Sequence, residues 1–191
     1  MTMHIRRIVT GINAHGNAAV VQDGPALHTV SRPAMSVESA LLWVTDETPV
    51  DLSKRGDPAD REIGVAPPAG GSILRVVDFL PDPNRKLDNA GFLAEMGLAH
   101  GASSATPAAR HPFMHRTKSV DYAIILQGEI DMLLDEGEVH VSAGDILIQR
   151  GTNHAWVNRS NALCRIAFIL IDALDFPPPN ESPFPSPLPG V

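Results

Sequence analysis

Apolar and polar positions alternate over short runs along most of this chain, with turn residues between the runs. A period of two marks half-buried strands. In the first half the pattern predicts strands at Ile5–Val9, Ala18–Gln22, Ala40–Val44 and Ser72–Phe79. The turn-like Asn13-Ala-His-Gly16 follows the first, and Asp23-Gly-Pro25 stops the second. The second half is denser. Tyr122–Leu126, Glu129–Leu134, Val139–Val141, Ile146–Gln149, His154–Asn158 and Leu163–Ile171 predict six further strands, with tight turns at Asp135-Glu-Gly137 and Ser142-Ala-Gly-Asp145. Short strands with turns about every eight to twelve residues imply an all-β sandwich or small barrel.

Helical periodicity is scarce. The best helical stretch is Leu87–Leu98, where Leu87, Phe92, Leu93 and Met96 share a face that Gly91 and Gly97 weaken. Val50–Gly71, charged and rich in proline and glycine, predicts a long surface excursion. From Phe176 onward the chain holds seven prolines. Such a segment cannot enter a sheet interior and suits an extended arm or a disordered end. The chain therefore divides into N-terminal strands and loop (1–70), a barrel (71–175) and a proline-rich tail (176–191).

Composition narrows the function classes. With 43% hydrophobic residues in 191, a sizeable core can form. The formal charge of −7, from 15 basic and 22 acidic side chains, argues against a nucleic-acid partner. No apolar run is long enough to span a bilayer, so no membrane partner is expected. The N-terminus lacks a signal-peptide pattern, and a cytoplasmic location is expected. A single cysteine, Cys164, excludes a disulfide framework and any multi-cysteine metal site.

The chemistry concentrates in two stretches. Alternation puts Asp121, Ala123 and Ile125 on one strand face, and His154, Trp156 and Asn158 on another. If both faces line one barrel, His115, Asp121 and His154 converge. Two imidazoles and a carboxylate with open positions suit iron(II), and also manganese, zinc or nickel. The bland alternatives are an aspartate capping a strand entry and a tryptophan that only fills the core. Arg75 stands inside the apolar strand Ile73–Val77, where a buried guanidinium needs a partner. A substrate carboxylate, Asp78 and Asp121 are its candidate partners, unless it faces solvent.

These residues resemble the cupin superfamily. In its first motif, His-x-His followed by Glu and then Gly, His115 stands at the first His, Thr117 at the second, Asp121 at the Glu and Gly128 at the Gly. In the second motif, Gly144, Gly151, His154 and Asn158 match, with Gln149 at the usual proline. The resemblance runs from about Gly71 to Asp172. It implies a double-stranded β-helix (jelly-roll) barrel with extra N-terminal strands, and one divalent metal, iron favoured, on His115, Asp121 and His154. Arg75 and Trp156 are then the candidate substrate contacts. Dioxygenase chemistry on an oxygen-bearing small molecule is favoured, with decarboxylase, isomerase or lyase chemistry as alternatives. Thr117 removes one imidazole and Asp121 is a methylene shorter than Glu. The competing reading is therefore a non-catalytic cupin that binds a small ligand with weak or no metal. Cupins of this size commonly pair, and the N-terminal strands and proline tail suit a homodimer.

Overall fold

The computed structural model describes residues 3–32, 35–81, 111 and 113–175. The predicted helix over Leu87–Leu98 and the proline tail lie outside these residues. Eleven strands are present among the described residues: β1 (Arg6–Ile12), β2 (Ala18–Pro25), β3 (Thr29–Arg32), β4 (Val37–Thr45), β5 (Ser72–Phe79), β6 (Ser119–Gln127), β7 (Glu129–Leu134), β8 (Glu138–Ser142), β9 (Ile146–Arg150), β10 (His154–Val157) and β11 (Cys164–Asp172). A six-stranded sheet runs β3-β4-β5-β11-β6-β9 and a three-stranded sheet runs β10-β7-β8. The strand pairs are antiparallel throughout.

Inward side chains of the two sheets form one core. Ile73, Val77, Ala123, Ile125, Ile166 and Leu170 of the larger sheet pack with Ile130, Leu133, Val141 and Ala155 of the smaller. This closes a jelly-roll barrel, the small barrel that the alternating pattern allows and the cupin resemblance implies. Burial alternates cleanly along β11, where Cys164, Ile166, Phe168 and Leu170 face inward. Truncating a fully buried residue such as Ile166 to alanine costs about 2–5 kcal/mol. β1 and β2 form a separate two-stranded ribbon.

Three features depart from expectation. β3 has one apolar residue in four and gave no hydrophobic signal. β6 starts at Ser119 rather than Tyr122, because its first two inward positions, Ser119 and Asp121, are polar yet buried. The Val50–Gly71 segment contains no strand, but it is more than a surface loop. Asp57 takes both terminal nitrogens of the buried Arg7 at 2.5 and 2.8 Å, Ala59 is fully buried, and Ile63 and Val65 pack on the core.

Candidate functional site

One end of the barrel holds a cavity of about 110 Å³. Alternation along β5 sends Arg75, Val77 and Phe79 into it, and β11 adds Phe168 and Leu170. Ser39 of β4, Arg32 at the end of β3 and Val65 close one side. His115, Thr117 and Asp121 line another, facing His154 and Trp156 of β10. All five residues singled out from the sequence therefore reach one cavity.

His115 and His154 are locked together by the backbone. Each donates its N–H to the other's carbonyl at 2.9 Å, a single bridge outside the named ladders, and the two rings lie 4.4 Å apart. Their Nδ1 atoms meet the carbonyls of Phe113 and Thr152 at 2.9 and 3.0 Å. A carbonyl cannot donate, so both Nδ1 atoms carry the proton and both Nε2 atoms carry the lone pair. Burial lowers the His115 pKa. Burial, and then the neighbouring His115, pull His154 down to about 3. Both rings are neutral at physiological pH.

Asp121 shares the cavity wall but stands apart from the imidazole pair. Ser119 Oγ donates to its Oδ1 at 2.6 Å and lies 3.0 Å from Thr117 Oγ1. Burial raises the Asp121 carboxyl to about 6, against the opposing pulls of Ser119 and Arg75. Among the described residues no group of three or more His, Cys, Asp or Glu side chains is gathered to hold a metal ion. The donor chemistry nevertheless fits a divalent metal. Two neutral imidazoles with Nδ1 fixed on backbone carbonyls present nitrogen donors, and a carboxyl stands in the same cavity.

Arg75 does not pair with Asp78, which Arg165 of β11 takes bidentately at 2.6 and 2.7 Å. Trp156 is both wall and core, edge-on to Phe168 at 5.7 Å and to His154 at 6.4 Å. Asn158 pins the end of the neighbouring strand, donating to the carbonyls of Phe79 and Ala162 at 2.8 Å each. Sequence reasoning gave no role to Gln149, whose Nε2 donates to Thr152 O at 3.0 Å, the carbonyl that also holds His154. It also passed over Arg32, which ends the strand that the hydrophobic pattern did not reveal. No helix among the described residues is long and apolar enough to cross a membrane.

A family model described as Cupin domain matches residues 95–171. The chain is 36% identical over 140 residues to the phomopsin biosynthesis cluster protein C' of Diaporthe leptostromiformis, covering 70% of this chain and 60% of that protein. It is 30% identical over 175 residues to the cupin-domain-containing oxidoreductase srdD of Neurospora crassa, covering 88% of this chain and 75% of that protein. A Cupin 2 conserved barrel domain protein from Salinispora arenicola is a structural neighbour at TM-score 0.34 and 14% identity, covering 53% of this chain and 64% of that one. The chain thus spans about three fifths of the length of the phomopsin-cluster relative.

Proposed function

The chain belongs to the cupin superfamily, and from that premise we propose that it is a small-molecule oxidoreductase whose reaction takes place at the His115–His154 end of the barrel cavity. The observation that carries this reading is the neutral imidazole pair, fixed by mutual backbone hydrogen bonds and buried in a largely apolar cavity. His115 and His154 would hold one divalent metal, iron favoured, with Asp121 as the third protein ligand. Bound there, the metal supplies Lewis acidity and, as iron, one-electron chemistry with dioxygen.

The chain's own residues do the rest. Burial keeps both imidazoles neutral and therefore able to donate their lone pairs. Trp156, Phe168 and Phe79, with ring planes inclined by 40° to 73°, form an apolar wall that packs against a substrate's hydrocarbon and excludes water. The Ser119–Asp121 contact fixes the carboxyl's rotamer, and as a metal ligand it would be held ionised, although burial raises the carboxyl to about 6. Similarity to proteins named cupin-domain-containing oxidoreductases supports redox over hydrolytic chemistry.

The test is anaerobic titration of metal-free protein with iron(II) and manganese(II), followed by oxygen-uptake assays on hydroxylated aromatics and diketones. Stoichiometric binding and substrate-dependent uptake are expected. One observation favours the second reading, a non-catalytic ligand-binding cupin: no third ligand stands beside the imidazole pair among the described residues. Ligand binding without metal retention or turnover would establish it.

We also propose a homodimer. The β1–β2 ribbon exposes Ile8, Ile12, Val20 and Val21, and a two-stranded ribbon gains little stability alone. A second copy covering it predicts a dimer by sedimentation that Val20→Glu converts to monomer. A wild-type monomer would refute it.

A further inference from the structure

Arg75 is a guanidinium sealed inside the barrel with almost nothing to bind. It is 8% exposed, and its one hydrogen bond among the described residues runs from Nη2 to the Gly64 carbonyl at 2.6 Å. Its Nε is buried with no acceptor among the described residues. A guanidinium offers five N–H donors in a planar fork, and burying one without a matching anion is costly.

Within the site cavity a second guanidinium adds to its charge. Arg32, whose Nη1 donates to Ser39 Oγ at 3.0 Å, lines the same cavity and its charge opposes that of Arg75. Among the described residues the one carboxylate acting on Arg75 is Asp121, itself turned toward Ser119. Asp78, three residues along β5, is occupied by Arg165. This concentration of positive charge lies inside a chain whose formal charge is −7. Arg75 also stands where two cavities meet. The site cavity is on one side, and on the other a larger one of about 740 Å³ whose lining carries the carboxylates Asp60 and Glu62 with the cations Arg32 and Arg61, beside Ile63 and Gly64, so the unbalanced cation faces the site cavity.

The geometry points to a carboxylate-recognition site in which the Arg75 fork, backed by Arg32, binds the carboxylate of a small molecule whose apolar or aromatic body lies against Phe79, Trp156 and Phe168. This rests on the reading of the cavity as a small-molecule site and names the substrate class: a mono-carboxylate with an apolar body. Carboxylate geometry matches the guanidinium fork bidentately. An apolar body is required because the wall beyond Arg75 offers mostly hydrocarbon.

The test is calorimetric titration of metal-free protein, in chelator, with benzoate, phenylacetate and hexanoate, and with neutral benzamide and inorganic phosphate as contrasts. At least one carboxylate binds saturably, benzamide and phosphate do not, and Arg75→Met abolishes the binding. Arg75→Lys keeps the charge but loses the fork, and weakens binding roughly tenfold. The thermal midpoint of Arg75→Met without ligand equals or exceeds that of the wild type, because a poorly partnered buried charge is gone. A merely structural arginine would instead lower it. The proposal is overturned if none of the carboxylates binds, if benzamide or phosphate binds instead, or if Arg75→Met binds as the wild type does. Because no metal is present, these outcomes leave the His115–His154 reading to its own test.

Discussion

His115 and His154 face each other inside the barrel, each donating its backbone N–H to the other's carbonyl at 2.9 Å, with their rings 4.4 Å apart. One residue lies in the segment leading into β6 and the other opens β10, so the contact joins the two sheets. Two imidazoles held this closely cannot both be protonated inside the protein. Their neutrality follows from burial and from each other, and it is the condition for nitrogen ligation.

Thr117 marks the position where a further imidazole would enter. It is 3% exposed, lines the cavity and touches Ser119 Oγ at 3.0 Å. Thr117→His should tighten metal binding by roughly 10–100-fold, the range in which ligand-shell changes act. Competition against a chromophoric chelator measures it. Unchanged affinity would contradict an inward donor position at 117.

Much of this was legible in the sequence and some was not. The strands announce themselves because one face of each is buried, so Ile166, Phe168 and Leu170 alternate visibly. β3 escaped because a short edge strand buries almost nothing. The start of β6 escaped because Ser119 and Asp121 are polar residues turned inward, and hydrophobic patterning is blind to those. Motif spacing located His115, Asp121 and His154, and all three reach one cavity. It did not foretell that Asp121 is engaged by Ser119 rather than gathered with the imidazoles, since side-chain partners depend on rotamers and neighbours. The emptiness around Arg75 was half visible: a cation in an apolar strand was an anomaly. Its resolution depended on Arg165, which lies on another strand and takes Asp78.

Asp57 anchors the 46–71 segment to the N-terminal strand. The Arg7 guanidinium holds its carboxyl well below the usual carboxylate range, with the Ala59 amide adding a hydrogen bond. A depressed carboxylate stabilises the fold above its unfolded value of 3.8, and that contribution fades as pH falls below it. Asp57→Asn should therefore cost about 1.5–3 kcal/mol at neutral pH. The difference from wild type should shrink toward zero in acid. Urea melts at pH 7 and pH 3 check this, and a pH-independent difference would contradict it.

Gly128 sits at φ +75° between β6 and β7, where a Cβ would meet the Leu163 carbonyl at 2.3 Å. Gly128→Ala adds strain at a left-handed position and a backbone clash. A loss of about 2 kcal/mol or more follows from the two effects together. Thermal unfolding of the variant measures it, and a wild-type midpoint would refute it.

Cys164 is fully buried, and burial pushes its thiol up to about 12. A thiol in that state has almost no thiolate to react. Iodoacetamide should leave native protein unlabelled and label it completely in denaturant, as read by mass spectrometry. Rapid native labelling would place the residue outside the core.

The proposal at the centre of this reading is that His115 and His154 hold one divalent metal. Its most direct test is elemental analysis by mass spectrometry of untagged protein, purified without chelator and reconstituted anaerobically, beside a His154→Gln variant shown to be folded by circular dichroism. The account predicts close to one divalent metal ion per chain in the wild type and its loss in the variant. Metal-free wild-type protein, or equal metal content in both, would contradict it.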